Sequence, residues 1–163
     1  MREILLTRSQ VAFVDDEDYE FINQHKWHAL KCGNTYYAAR HKPKEHGVLL
    51  LMHREIMKAQ PEQEVDHKNR NGSDNQKDNL RFATNSENQY NKCGWGASEY
   101  KGVSWRKDIK KWASYIRLNS NRLHLGFYND EVEAAKAYDK AAKNYFGEFA
   151  NTNFKEKNED NSL

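Results

Sequence analysis

The stretch VDHKNRNGSDNQKDNLRFATNSENQYNK, residues 65–92, holds the side chains best suited to chemistry. Asp66 and Asn88 offer a carboxylate and a carboxamide oxygen. These are ligands for a hard, partly hydrated cation such as Mg²⁺, or Mn²⁺ in its place, rather than for Zn²⁺, which favours imidazole and thiolate. Such an ion acts as a Lewis acid on a phosphate and neutralises charge on a leaving oxygen. His67, with an ordinary pKa near ~6.5, can take a proton from an attacking water near neutral pH. The chemistry open to this set is phosphodiester hydrolysis, with Asp66 and Asn88 as metal ligands and His67 as general base.

Local signals supply elements that would bring the three together. Glu64-Val65-Asp66-His67 ends a short strand, and Asn69, Asn71, Gly72, Ser73, Asp74 and Asn75 form a dense run of turn residues. Leu80 to Thr84 reads as the return strand, with Leu80 and Phe82 on one face and Arg81 on the other. Thr84-Asn85-Ser86-Glu87 has the capping-box pattern, so a helix starts there and carries Asn88 in its first turn.

These residues resemble the HNH nuclease family, in the variant of homing and phage-associated endonucleases where Asn replaces the last His. The resemblance assigns Asp66 and Asn88 to the metal, His67 to the base, and Asn79 to the middle Asn, a catalytic-site residue whose amide pins the hairpin loop. It also implies cleavage to 3′-hydroxyl and 5′-phosphate ends. Many such proteins carry a structural zinc on paired cysteines. Here Cys32 and Cys93 are the only two, so no thiolate quartet forms and no structural zinc is expected. His25, His28 and Cys32 lack a nearby fourth ligand.

Net charge is only +2, but its distribution is uneven: residues 100–126 hold seven Lys/Arg against one acid. That is the electrostatic footprint of a nucleic-acid partner. The segment follows the small-residue run Gly94 to Ser98. It reads as strands Tyr100–Arg106, Lys111–Leu118 and Arg122–Tyr128, then a helix capped by Asn129 or Asp130 and stopped at Gly147. Ala134, Tyr138, Ala141 and Tyr145 are expected to share the buried face of that helix. The opposite face of the sheet would meet duplex DNA through Trp105, Arg106, Lys111, Trp112, Arg117 and Arg122, with strand register deciding which of these point outward. Either Trp can instead belong to the core.

YKGVSW (100–105), KWASYIR (111–117), LGFYNDEVEAAKAYDKAA (125–142) and FANTNF (149–154) together resemble the apetala/ethylene-response-factor DNA-binding domain of plant regulators, which is also seen fused to HNH nucleases. Two departures stand out. Ser104 and Trp105 replace residues that are commonly Arg, and Asp108-Ile109-Lys110 replaces the Trp-Gly before the second strand.

Residues 1–60 read as strands at Ile4–Leu6 and Val11–Val14, an acidic helix from Asp15 to Asn23, and a hairpin of Trp27–Lys31 with Thr35–Arg40. A buried strand over Val48–Arg54 would lead into a helix at 55–59. His53 lies close enough in sequence to the motif to face a phosphate, although a structural role is the default for such a His.

The fold class expected is α+β. Residues 1–92 form a ββα-metal catalytic domain with a β-rich lead-in and 93–98 a linker. Residues 99–154 form a three-stranded antiparallel sheet packed on one helix, and 155–163 a polar tail. The N-terminus lacks the apolar run of a signal peptide and no stretch is long enough to span a membrane, so a cytoplasmic protein is expected. The resemblance to homing and phage-associated endonucleases implies a bacterial host cell and allows a phage gene as the source. The function expected is a site-preferring endonuclease acting on double-stranded DNA. The rivals are a DNA-binding regulator with an inactive nuclease half and a structure-directed or RNA-directed nuclease.

Overall fold

A computed structural model describes residues 1–42, 47–91, 98–119 and 121–154. The chain divides into two compact units, Met1–Asn88 and Gln89–Leu163. Among the described residues no helix is long and apolar enough to cross a membrane.

In the first unit, β1 (Arg2–Leu5) and β2 (Val11–Val14) form an antiparallel hairpin. Strand alternation sends Ile4, Ala12 and Val14 inward. The helix α1 (Asp16–Ile22) carries Asp16, Glu17 and Asp18 in its first turn, where the helix dipole favours acids, and buries Ile22 completely. The strands β3 (His28–Cys32), β4 (Thr35–His41) and β5 (Leu49–Leu51) make a second antiparallel sheet in that order. Trp27 closes the core beneath it and donates Nε1–H to the Ile22 carbonyl at 2.9 Å.

Residues 48–54 differ from the expectation of a buried strand. The strand is only three residues long and Val48 and Leu49 are exposed. The chain then turns directly into α2 (Met52–Ile56), earlier than the expected 55–59. A short apolar run fits either period. Here the helical one wins because Met52, His53 and Ile56 all bury on one face of α2, with Met52 and Ile56 joining the core that also holds Val65 and Leu80.

The hairpin of β6 (Glu64–His67) and β7 (Leu80–Ala83) leads into α3 (Asn85–Asn91). The capping box forms reciprocally: Thr84 N donates to Glu87 Oε2 at 2.7 Å and Glu87 N to Thr84 Oγ1 at 3.2 Å. Leu80 is buried as expected, whereas Phe82 on the same strand face is 45% exposed. The division between units falls within α3. Of the expected linker 93–98 only Ser98 is described, and Cys93 and the tail 155–163 lie outside the described residues.

The second unit is an antiparallel sheet of β8 (Val103–Arg106), β9 (Lys111–Leu118) and β10 (Asn121–Tyr128), with β9 central and a register shift between His124 and Gly126. One face is covered by α4 (Glu131–Phe146), whose cap Asp130 accepts from Glu133 N at 3.0 Å and which stops at Gly147, at φ 50°. The first strand starts later than the expected Tyr100. Gly102 turns at φ 79° against Tyr138, where a Cβ would lie 2.0 Å from the ring. The buried face of α4 is also rotated from the expected one. It carries Ala134, Ala135, Tyr138, Ala142 and Phe146, while Tyr145 is 55% exposed. Phe146 is the aromatic anchor because its ring stacks on Tyr90 at 3.8 Å.

Candidate active site and nucleic-acid interface

The β6–β7 register pairs Asp66 with Arg81 and His67 with Leu80, so Asp66 and His67 lie on opposite faces of the ribbon. Both are buried, at 6% and 4% exposure. Arg81 donates Nε at 2.9 Å and Nη2 at 2.8 Å to Asp66 Oδ2, a charge-assisted pair shielded from water.

The loop between the strands is held from within and from the lead-in. Asn79 accepts from Asn69 N at 3.0 Å through Oδ1 and donates through Nδ2 to the Asp74 carbonyl at 2.8 Å, tying both limbs of the loop. From the lead-in, Phe13 N donates to the Ser73 carbonyl and Asn75 N to the Phe13 carbonyl, each at 2.8 Å. Asp15 accepts from Lys77 N at 2.8 Å and from Gln76 Nε2 at 3.2 Å, and Thr35 Oγ1 accepts from Gly72 N at 2.9 Å. Residues 1–41 therefore do more than complete a core: they fix the loop that carries Asn75.

His67 packs into a cluster of three rings from three elements. Its centroid lies 4.8 Å from His53, edge to face, and 5.5 Å from Tyr37, which is 5.6 Å from His53. Asn75, with no exposed surface, places Oδ1 3.4 Å from His67 Nε2 while its Nδ2 donates to the Ser73 carbonyl. The second bond fixes the amide, so Nε2 is the protonated ring nitrogen and Nδ1 the basic one. Burial lowers the pKa of His67, against the opposing pull of the Asn75 hydrogen bond and of Asp66 and Asp74. Burial also takes His53 down to about 3, helped by the charges of His67 and Arg54, and Tyr37 is raised chiefly by burial. His53 sits on α2, not on a strand, and its Nδ1 is buried without a partner.

Asn88 is half-buried on α3 and its side chain makes no hydrogen bond among the described residues. The oxygen donors that Asp66 and Asn88 offer fit a hard divalent ion, and Arg81 already balances the buried carboxylate's charge. Among the described residues no cluster of three His, Cys, Asp or Glu is poised for a metal, His25, His28 and Cys32 included.

In the second unit the register settles which side chains face outward. Trp105 lies opposite Trp112 with rings 5.1 Å apart, and Trp112 packs on the α4 side with Val103 and Ala134. Both Trp therefore point to the α4 side of the sheet, Trp112 packed there and Trp105, on the edge strand, 43% exposed. Arg106, Lys111, Arg117 and Arg122 share the open face with Tyr115, His124 and Phe127. Tyr115 is the hub of that face. Arg122 lies 3.6 Å over its ring, Arg106 Nη1 donates to its hydroxyl at 3.5 Å, and His124 is 5.0 Å away.

Sequence alone assigns no site role to Arg81, Asn75 or Tyr37. Asn75 was hidden in a run of turn residues, and the other two act only through register and tertiary packing. A family profile described as HNH endonuclease matches residues 58–90, the segment that holds this hairpin. The chain is 30% identical over 142 residues to an uncharacterised HNH endonuclease, L560, of Acanthamoeba polyphaga mimivirus, covering 87% of this chain and 74% of that protein. That alignment is longer than either unit. Over 61 residues, 36% of this chain, it is 46% identical to the ethylene-responsive transcription factor WRI1 of Arabidopsis thaliana and 39% identical to the APETALA2-like protein 2 of Oryza sativa subsp. indica. The match spans only 14% of the length of each plant protein.

Proposed function

This chain belongs to the HNH endonuclease family, and from that membership we propose that it is a metal-dependent, site-preferring endonuclease of the homing or phage type acting on double-stranded DNA. The observation that carries the reading is the hairpin itself. Adjacent, buried Asp66 and His67 stand on β6, beside a loop that Asn79 ties at both limbs, and α3 follows with an uncommitted Asn88.

In this reading β6, β7 and α3 are the ββα-metal unit. Asp66 and Asn88 would hold Mg²⁺ or Mn²⁺, which when bound supplies Lewis-acid chemistry at the scissile phosphate. His67 takes the proton of the attacking water at Nδ1, its orientation set by Asn75 from one side and by His53 and Tyr37 from the other. Arg81 keeps the Asp66 carboxylate oriented. The second unit supplies address and affinity through the cations of its open face, as an apetala/ethylene-response-factor-type module. One catalytic set per chain cuts one strand, so nicking is the minimal activity.

The buried His67 and the Arg81–Asp66 pair favour one rival, a DNA-binding regulator whose nuclease half is silent. Supercoiled plasmid incubated with the protein and Mg²⁺ separates them. Nicking that is abolished by chelator and by Asp66→Ala is expected, and a plasmid that is bound but never cut would select the regulator.

A further inference from the structure

We propose that Asp108 is a specificity-determining residue: it grips the Arg106 guanidinium from the side and so presents the end of its fork to a guanine edge. This rests on reading the open face of the second unit as a DNA-reading surface. Arg106 is the last residue of β8 and lies opposite Lys111 on the open face. Asp108 stands two residues on, in the turn to β9. Arg106 Nε donates to Asp108 Oδ1 at 3.0 Å and Nη2 to Oδ2 at 2.7 Å, a two-pronged pair. Nη1 reaches the Tyr115 hydroxyl at 3.5 Å. Of the five N–H groups of a guanidinium, three are then engaged. One hydrogen remains on each of Nη1 and Nη2, and where Tyr115 takes the outer hydrogen of Nη1 these two form the parallel pair of donors that guanine O6 and N7 accept in the major groove.

The charge distribution makes the acid conspicuous. Asp108 is the one carboxylate among residues 100–126, which hold seven Lys/Arg. A carboxylate on a DNA-facing sheet repels phosphate and lowers affinity for every sequence alike. An Arg without such a partner swings freely on a long side chain and settles on the nearest phosphate, gaining affinity and losing discrimination. Asp108 exchanges the first for the second: a held fork pays off only where a base edge matches it. The same turn, Asp108-Ile109-Lys110, is where the chain departs from the plant pattern, so the register of this contact belongs to this chain's own target.

The test is selection of bound duplexes from a random-sequence pool by the full-length chain in chelator, so that no strand is cut, followed by salt titrations on the selected and a scrambled site. The wild type is compared with Asp108→Asn and Arg106→Ala. Asp108 is exposed in a turn, and a thermal melt confirms that each variant folds. For Asp108→Asn the expected result is loss of a guanine preference at one position by roughly five- to a hundredfold. Affinity for the scrambled site should be undiminished and its salt slope steeper by about 0.9, as one more cation settles on phosphate. Arg106→Ala should lose the same position. If Arg106→Ala loses a position that Asp108→Asn keeps, Arg106 reads without the clamp and the proposal is overturned. If neither variant changes any preference, it is overturned as well. Silence in Arg117→Ala and Arg122→Ala too would take the reading of the whole face down with it.

Discussion

Arg81 sets both Nε and Nη2 on a single oxygen of Asp66, Oδ2, from the directly opposed position on the neighbouring strand. The two side chains are 10% and 7% exposed, so solvent screens the pair little. Removing the cation alone, in Arg81→Ala, should cost roughly 3–5 kcal/mol because a carboxylate is left buried without it. If Asp66 holds Mg²⁺ as proposed, the ion binds the folded state, and with Arg81 gone it no longer shares that carboxylate with a cation. Added Mg²⁺ should therefore raise the melting temperature of Arg81→Ala more than that of the wild type. Equal responses in the two proteins would remove Asp66 from the metal site.

His67→Ala should lower the nicking rate by ~10²–10⁴ while leaving duplex affinity and Mg²⁺ binding near wild type, the signature of a lost general base. The measurement is single-turnover cleavage alongside a binding isotherm. Wild-type turnover with the chemical step rate-limiting would exclude His67 from that role.

The Asn88 side chain makes no hydrogen bond among the described residues, so Asn88→Ala should leave the melting temperature almost unchanged while weakening Mn²⁺ binding, read by the paramagnetic resonance of the ion. Asp66→Ala should weaken it further, since Asp66 brings the formal charge. Undiminished Mn²⁺ affinity in Asn88→Ala would mean that α3 does not feed the site.

His53 ties stability to pH. Its folded pKa is about 3, against an ordinary value of 6.5. Between those values the unfolded chain takes up a proton that the folded one refuses. This contribution is therefore fully present above about 6.5 and is lost as pH falls toward 3, by up to about 1.4 kcal/mol per pH unit. His53→Leu should flatten that part of the curve. Because Nδ1 has no partner, the apolar side chain gives up no hydrogen bond there. An unchanged pH slope of denaturation in His53→Leu would show that His53 is not the titrating group.

Where local chemistry decides a structure, the sequence was readable. The Thr84–Glu87 capping box and the Asp130 cap are each written within four residues, and Trp112, Ile116 and Leu118 set against Lys111, Tyr115 and Arg117 mark β9 as a strand. What escaped depended on distance. Asn75 has the composition of a solvated turn, yet it is completely buried, because Phe13 and Asp15 reach across from a segment some sixty residues earlier. The Arg81–Asp66 pair follows from strand register, which loop length alone does not give. The α4 stripe falls one residue later at its far end than helical periodicity predicts, because Phe146 and not Tyr145 finds an aromatic partner in Tyr90.

The two kinds of large side chain in the second unit should now fail in opposite ways. Arg117 is exposed on the open face and Trp112 is on the face covered by α4, although both belong to β9 and were equal candidates for contact with DNA. Arg117→Ala should keep the melting temperature and flatten the salt dependence of duplex binding by about 0.9 if it holds a phosphate, or relax one base position if it reads one. Trp112→Ala removes packing against Val103, Ala134 and Trp105, and should destabilise the fold by about 2 kcal/mol or more. Well below its melting point the same variant should keep the salt slope and site preference of the wild type. Melting curves and salt titrations on one set of proteins decide the matter: a Trp112→Ala protein that melts like wild type but binds DNA poorly would put the DNA on the other face of the sheet.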